Sequence, residues 1–257
     1  VYAESMFTTC RLNSIASDAS GNVFVAGYAN GDFLIIKYNS AGVQQWLQKY
    51  NGPQNLNDEA VSIKVDGSGN VYVTGKSAHD SSSSQLNDYA TVKYNSSGVQ
   101  KWVQRYKGPR DLGAIGGEVE IKLAVDGSGN VYVTGFSYGL SKNEDYAVVK
   151  YDSSGNQLWL RRYDRSSLSD YCSYMTIDRF ENVYLTGYTS ITSPDYTTIK
   201  YDSSGTVKWI KLYDATGASD VARDIVTDNQ NNVYVTGSSI GQGTGYDYVT
   251  IKYDSLG

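Results

Sequence analysis

Cysteine, proline and histidine are scarce in this chain of 257 residues, which contains two, three and one of them respectively. Cys10 and Cys172 lie far apart, so they supply neither a disulfide framework nor the close pair that a zinc site needs. We expect two small buried apolar residues, with one disulfide bond as the alternative. The lone His79 has no second ligand or nucleophile motif beside it, and we expect a solvated loop residue.

Positive charge and long apolar runs are lacking as well. The formal net charge is −5 at pH 7, which argues against the basic face that a nucleic-acid partner needs and against attraction to an anionic membrane. No apolar run approaches the ~20 residues that span a bilayer, and no signal peptide is visible at the start. We therefore expect no nucleic-acid partner and no membrane insertion.

Residues that form strands and turns are abundant instead. The chain contains 24 tyrosines and 26 glycines, and 40% of its residues are hydrophobic. Tyr, Val, Thr and Ile favour strands, whereas Gly, Asn, Asp and Ser favour turns. No segment shows a sustained helical period, so the sequence predicts an all-β protein.

One ten-residue segment, DGSGNVYVTG, occurs at residues 66–75 and again at 126–135, and three looser copies accompany it. The five copies begin at Asp18, Asp66, Asp126, Asp178 and Asp228, with spacings of 48, 60, 52 and 50 residues. A period near 50 residues is typical of a repeat array or a propeller. A phosphate-binding loop leads into a helix, whereas this turn leads into a predicted strand five times, so the segment marks a repeat.

Each repeat predicts four antiparallel strands, named A to D in chain order. Strand A ends just before the aligned aspartate, strand B is the alternating V-Y-V-T-G, and strand C ends in Lys-Tyr. Strand D carries W-x-x-x-Y, whose even spacing places both rings on one face. The C-strand lysines are Lys37, Lys93, Lys150, Lys200 and Lys252, and the D-strand tryptophans are Trp46, Trp102, Trp159 and Trp209.

Four-stranded units at a fixed period predict one five-bladed β-propeller domain over residues 1–257. The repeats lie near residues 3–50, 51–106, 107–163, 164–213 and 214–257. We expect the D-strand tryptophan and tyrosine to fill the wedge between neighbouring blades. The recurrent lysine should lay its stem on these rings, with cation–π contact as a secondary contribution.

The pattern GNVYVTG followed by DYATVKYNSSG resembles the SBBP-type β-propeller repeat family, which is related to the delta-60-type repeats. The resemblance covers nearly the whole chain, in five copies. It implies a propeller and an extracellular setting, on the cell surface or secreted. It implies no activity.

The two ends of the sequence depart from the repeat. Val1 and Tyr2 stand where a strand D would end, and the chain closes at Gly257 just after the fifth strand C. We therefore expect the last blade to lack its outer strand in this chain. Three alternatives remain open: the segment from Val1 fills that place, the chain belongs to a longer array, or another chain supplies the strand.

The long, variable D–A and B–C loops are the predicted binding face, because variable loops on a rigid scaffold usually carry binding. Acids gather there. Eight residues before the aligned aspartate stand Asp58, Glu118, Asp170 and Asp220, with Cys10 in the first repeat, and strand C opens with Asp32, Asp88, Asp145, Asp195 and Asp247. A cation site or a catalytic carboxylate pair is one interpretation, but the repetition favours loop caps that bond backbone N–H groups. We expect no metal site, no cofactor and no catalytic residue.

Aromatic and amide groups in the same loops suggest a second use of this face. Tyr138, Tyr171, Tyr188, Gln242 and Tyr246 are placed to stack on sugars and bond them.

The predicted function is a non-enzymatic structural or adhesive propeller outside the cell, one unit of a fibre or tandem array joined through the incomplete blade. Its expected partners are copies of itself or neighbouring propeller domains. The alternative is a glycan-binding, lectin-like propeller with surface glycans as partners. A glycosidase-like enzyme is the third interpretation, and it requires two unequal carboxylates that face each other across the channel.

Overall fold

The computed structural model describes residues 9–53, 55–78, 87–109, 121–139, 143–165, 168–190, 193–241, 243 and 245–257. His79, Glu118 and Gln242 lie outside these ranges. Within them the chain forms β-strands, turns and bends, without any helix. No candidate for a helical membrane crossing therefore occurs in the described part of the chain.

The strands assemble into antiparallel sheets in which sequential strands are neighbours. The first sheet contains β1 (Cys10–Ser17), β2 (Val23–Ala29), β3 (Asp32–Tyr38) and β4 (Gln44–Tyr50). The second contains β5 (Asp58–Val65), β6 (Val71–Ala78), β7 (Asn87–Tyr94) and β8 (Gln100–Tyr106). The third contains β9 (Lys122–Val125), β10 (Val131–Tyr138), β11 (Glu144–Tyr151) and β12 (Gln157–Tyr163).

Two further sheets follow. The fourth contains β13 (Ser169–Ile177), β14 (Val183–Ser190), β15 (Pro194–Tyr201) and β16 (Val207–Tyr213). The fifth contains β17 (Asp220–Thr227), β18 (Val233–Ile240) and β19 (Tyr246–Tyr253), and thus three strands. The predicted strands A to D correspond to successive strands of each sheet, and the described fifth sheet has the predicted A, B and C.

The aspartate that opens each repeated segment caps the turn between strands A and B. Asp228 Oδ1 accepts the backbone N–H groups of Gln230 and Asn232, and its Oδ2 accepts the amide of Asn232 and the hydroxyl of Tyr234. These bonds, above all the one from the Asn232 side chain, hold the pKa of Asp228 below its ordinary value. The aspartate, asparagine and tyrosine of the repeated segment therefore form one hydrogen-bonded turn.

The glycine that closes V-Y-V-T-G faces a bulge in strand A. The register of β5 against β6 shifts between Ala60 and Ser62, directly opposite Gly75. A Cβ atom on Gly75 would lie 2.0 Å from the Glu59 carbonyl oxygen, so no side chain fits. A bulge redirects the strand, and this one lies at Val61, within the same strand as the acid Asp58. Equivalent shifts occur in β1, β13 and β17.

The chain divides into two compact units. The first comprises Val1–Val133 and Asp152–Asn156, and the second comprises Thr134–Tyr151 and Gln157–Gly257. In the first unit the core lies between the first two sheets, where Phe33 and Phe24 pack in one cluster with Ile63 and Val73, and Trp46 packs against it. This is the wedge position predicted for the D-strand rings.

In the second unit the fourth and fifth sheets share a similar core. Tyr184 and Tyr196 cluster with Ile225 and Val235, and Trp209 packs against them. The single-domain prediction for residues 1–257 stays a prediction.

Cys10 and Cys172 are not joined in a disulfide bond. Cys172 is buried, as expected, and its sulfur lies 3.4 Å from the Thr134 hydroxyl. Cys10 is exposed at the start of β1, so the expectation of burial is wrong for this residue.

Candidate functional site

Consecutive sheets are joined by a recurring contact that we call the clasp. The C-strand lysine and the D-strand tryptophan of one sheet both donate to the carbonyl of a serine in the C–D turn of the next sheet. In the first unit, Lys37 Nζ and Trp46 Nε1 each lie 3.2 Å from the Ser96 oxygen, and Lys93 and Trp102 reach Ser153 at 2.8 and 3.2 Å. In the second unit, Lys150 and Trp159 reach Ser203 at 3.4 and 3.1 Å.

The lysine ammonium groups also lie over aromatic rings, but these rings belong to strand B and not to strand D as predicted. Lys93 Nζ stands 5.0 Å from the centre of the Tyr72 ring, and Lys200 stands 5.2 Å from that of Tyr184. At the fourth junction only the lysine half of the clasp forms, because Lys200 donates to the Ser255 carbonyl at 2.9 Å while Trp209 Nε1 has no hydrogen-bond partner among the described residues. The lysine thus combines a cation–π contact with a hydrogen bond to the next sheet.

The turn glycine makes the clasp possible. Gly98 has a φ of 81°, a conformation that favours glycine. A Cβ atom on it would lie 2.9 Å from the Trp46 ring, and one on Gly155 would lie 2.8 Å from Trp102. The glycine of each S-x-G turn therefore serves both the turn and the contact with the tryptophan of the preceding sheet.

Two exposed surfaces each present one side of the clasp contact, one with the lysine and the aromatic rings and the other with the serine turn. On β19, in the second unit, Tyr248 is 90% exposed although its counterpart Tyr196 is buried, and Lys252 lies exposed over the Tyr234 ring. We call this surface the donor face. On the first sheet, Ile15 is 69% exposed although its counterpart Ile63 is buried, and a Cβ atom added to Gly42 in the C–D turn would meet no other described atom within 4 Å. We call this surface the acceptor face.

Three of the four predicted loop acids are buried loop caps. Asp58 Oδ2 accepts the Gly52 N–H at 2.6 Å, Asp170 Oδ2 accepts the Arg165 N–H at 2.7 Å, and Asp220 Oδ2 accepts the Ala215 N–H at 2.9 Å. Each carboxylate therefore holds the D–A loop that precedes its own strand, and the loop-cap interpretation is confirmed for these residues. Glu118 lies outside the described residues.

The pKa values of two of these acids shift in the opposite direction to that of Asp228, in which hydrogen bonds outweigh burial. Burial raises the pKa of Asp58, and it raises the pKa of Asp170 to about 6 against the hydrogen bonds from Thr189 and Arg165. Thr189 Oγ1 donates to Asp170 Oδ1 at 2.5 Å, so both oxygens of this carboxylate have partners.

Two clusters of three aspartates occur in the second unit. The first cluster joins Asp145, which follows Glu144 at the start of β11, with Asp164 after β12 and Asp170 in β13, and their carboxylate oxygens lie within 4.8 Å of one another. Arg162 neutralises part of this charge, because its Nη2 lies 2.7 Å from Asp145 Oδ2. Its guanidinium also donates to the hydroxyl and the carbonyl of Ser137 at 2.8 Å.

The second cluster repeats the arrangement one sheet later. Asp195 in β15, Asp214 after β16 and Asp220 in β17 bring carboxylate oxygens within 4.8 Å of one another. The position that Arg162 occupies opposite β11 is held by Leu212 opposite β15. Burial raises the pKa of Asp195, with Asp214 and Asp220 adding to the increase and Arg165 opposing it.

The first unit shows that a cation at this position is the common arrangement. Arg105, the counterpart of Arg162, lies 2.7 Å from Asp88 and also donates to the Tyr50 hydroxyl at 3.1 Å and to Ser77. Lys49 lies 3.5 Å from Asp32 in the first sheet. Leucine at position 212 is therefore the exception among four equivalent sites.

Three of the four tyrosines predicted to bind sugars lie near one another, and the fourth does not. Tyr171 stacks on Tyr188 with ring centres 5.0 Å apart, and Phe136 meets Tyr171 edge-on at 5.2 Å. Burial raises the pKa of Tyr138, and the nearby Glu144 and Tyr171 add to this increase. Tyr246 lies elsewhere, exposed on β19. Sequence reasoning missed Phe136, although its place two residues before Tyr138 in one strand puts both on one face.

A cavity of about 460 Å³ lies between the A–B turns of the second and third sheets. These turns are at the ends of the strands that face away from the loop acids. Its charged groups already have partners: Lys93 bonds Ser153, and Asp66 and Asp126 cap their own turns. The cavity therefore belongs to the repeated turns and clasps.

Comparisons with known proteins agree with the geometry. The sequence profile of SBBP, a β-propeller repeat, matches residues 159–193 and 208–243. No curated protein matches the chain. A Bacteroides caccae protein of unknown function is similar in structure at 13% identity and a TM-score of 0.55, over 97% of this chain and 80% of its own.

Two other solved structures are similar. The β-propeller domain of the Trilobed protease from Pyrococcus furiosus, described as having an open velcro topology, matches at 8% identity and a TM-score of 0.57, over 96% of this chain and 69% of its own. A polysaccharide lyase, an ulvan lyase, matches at 9% identity and a TM-score of 0.61, over 100% of this chain and 70% of its own. At these identities the likeness shows the fold alone, which is of the β-propeller type.

Proposed function

Because the chain carries SBBP β-propeller repeats, we propose that it is a five-bladed, non-enzymatic propeller that serves as a structural or adhesive unit outside the cell. The observation that supports this proposal is the clasp. The C-strand lysine donates to a serine carbonyl of the next sheet at four junctions, and the D-strand tryptophan donates to the same carbonyl at three of them. A module that repeats its own interface is suited to building an array.

The donor and acceptor faces supply the interface for such an array. Tyr196 and Ile225 are buried in one cluster where the fourth and fifth sheets meet. Tyr248 and Ile15 occupy the same two positions of the repeat and are exposed. Lys252 stands on the donor face, and the Ser40 turn lies on the acceptor face. A second copy of this chain is therefore the partner that fits both faces, in a head-to-tail contact.

The test is sedimentation velocity over a wide concentration range. We expect the chain to associate, and Ile15→Lys to weaken association at least tenfold because it buries a charge at the contact. Val226→Lys is the matched control, because Val226 is 55% exposed and its counterpart in the second sheet is Lys64. A chain that stays monomeric at millimolar concentration, or equal effects of both variants, would contradict the proposal.

The loop caps support the non-enzymatic part of the proposal. Asp58, Asp170 and Asp220 each hold a backbone N–H, which occupies the carboxylate in a structural role. A glycosidase-like enzyme needs two carboxylates in different roles. Hydrolysis of a panel of chromogenic glycosides, abolished by Asp170→Asn, would overturn this part. The extracellular setting is tested by locating the native protein in cell fractions.

Glycan binding is the second candidate, and the ring cluster of Phe136, Tyr171 and Tyr188 favours it. Stacked, half-buried rings offer the apolar faces on which sugars pack. A glycan array tests the idea, with Tyr188→Ala expected to remove binding and Tyr248→Ala, away from the cluster, expected to leave it intact. An array without any bound glycan would reject this candidate.

A further inference from the structure

We propose that Asp195, Asp214 and Asp220 form a calcium-binding site. The three residues come from different elements, since Asp195 lies in β15, Asp214 follows β16 and Asp220 opens β17. One carboxylate oxygen from each lies within 4.8 Å of the other two. The site departs from our expectation that the loop acids hold no metal.

A buried oxygen without a partner points to a ligand. Asp220 is fully buried, and its Oδ2 accepts the Ala215 N–H. Its other oxygen, Oδ1, is buried and has no hydrogen-bond partner among the described residues. An unpartnered carboxylate oxygen removed from water is costly unless a hydrogen-bond donor or a cation satisfies it. The equivalent oxygen of Asp170 is satisfied by Thr189.

The charge around the cluster is also only partly compensated. Three carboxylates face one guanidinium, that of Arg165, whose Nη1 lies 3.7 Å from Asp195 Oδ2. Leu212 stands where the other three sites carry Arg or Lys. The net negative charge that remains suits a divalent cation. Asp214 is exposed and leaves a path from solvent.

The donor set selects calcium among divalent cations. All three groups are carboxylates, which suit hard cations, and no histidine or cysteine of the described residues belongs to the cluster. Calcium binds oxygen at about 2.3–2.6 Å, so two of its ligands stand up to about 5 Å apart, whereas Mg²⁺ at about 2.0–2.1 Å requires about 4.2 Å or less. The carboxylate oxygens lie within 4.8 Å of one another, which is inside the reach of calcium. Calcium also tolerates irregular coordination, whereas Mg²⁺ demands near-octahedral geometry and gives up its water reluctantly.

The experiment is isothermal titration of the full chain with CaCl₂, together with thermal unfolding with and without calcium. We expect one site with a dissociation constant on the order of 10⁻⁴ M, in the range of extracellular calcium modules, and a higher Tm with calcium. Leu212→Arg should weaken binding at least tenfold and still fold, because Arg162 occupies the same position in the preceding sheet.

Leu158→Arg is the matched control, since Leu158 is 51% exposed on β12 in the same unit and the variant adds the same charge. It should leave the affinity within about twofold of the native value. Asp220→Asn should remove binding, and MgCl₂ should bind at least tenfold more weakly than CaCl₂. Absence of calcium binding by the native chain, equal losses in the two arginine variants, or equal affinity for both metals would overturn the proposal.

Discussion

The cluster of Asp145, Asp164 and Asp170 and the cluster of Asp195, Asp214 and Asp220 occupy the same positions of two consecutive repeats. In the first, Arg162 bonds Asp145, and Thr189 satisfies Asp170. In the second, the corresponding strand position holds Leu212, and Asp220 retains a buried oxygen without a partner among the described residues. The first cluster also retains a buried oxygen without a hydrogen-bond partner among the described residues, Asp145 Oδ1, so the difference between the clusters lies in the cation at position 162 and the leucine at position 212.

In a repeat protein, a difference between two equivalent clusters can be interpreted directly. Each repeat is an internal control for the others, because the loop cap, the bulge and the turn are the same while the neutralising residue varies. The residues that repeat describe how the chain folds, and a departure at an otherwise charged position marks a place where something else is needed. This is the reason to place the cation site at the second cluster.

Removing Arg162 should produce the largest change. Arg162→Leu makes the first cluster resemble the second and leaves the buried Asp145 without its 2.7 Å ion pair. Loss of one partner of a buried pair costs roughly 3 kcal/mol. Urea denaturation in the absence of calcium measures the loss, and added calcium should recover part of it.

The control for this variant is Lys208→Leu, which breaks an exposed pair with Asp202 at 3.8 Å. It should change the free energy of unfolding by less than about 0.5 kcal/mol. Equal losses in the two variants would show that the buried position of Asp145 has no special effect.

The fold was largely predictable from the sequence, because its signals are local and repeat. Strand alternation, the S-x-G turns and the position of Trp46 and Lys93 in the wedge follow from spacing alone. Loop capping by Asp170 also follows, since the acid and the loop that it holds are five residues apart. The D strands could be assigned for the same reason.

The acid clusters could not be predicted in this way. Asp145 meets Arg162 through the register of two strands and meets Asp170 across a sheet boundary, and neither contact is visible as a motif. The prediction that Cys10 is buried is wrong because β1 is largely exposed. The counterpart of Cys10 in the second repeat, Asp58, is buried, so the sequence repeat alone does not reveal this difference. These contacts depend on which side of a sheet is covered, and that information is not local.

Thr189→Val should have the next largest effect. It removes the hydroxyl that satisfies Asp170 Oδ1 and gives Asp170 the condition of Asp220. A buried carboxylate oxygen that loses its donor costs about 2 kcal/mol at pH 7, and the pKa of Asp170 should rise further because this bond lowers it. Urea denaturation measures the first effect.

The smallest effect is the pH dependence that Asp170 confers. Burial raises its pKa to about 6, above the value of 3.8 in an unfolded chain. Between these values the folded state binds a proton that the unfolded state does not, so stability rises as the pH falls. From pH 7 to pH 5 we expect the free energy of unfolding to increase by roughly 1 kcal/mol through this residue. Denaturant midpoints at both values measure the increase, and Asp170→Asn should remove that share of it. Asp220→Asn should instead abolish the increase in stability that added calcium gives, and Asp170→Asn should leave that increase intact. An equal response of the two variants to calcium would show that the clusters do not differ in this way.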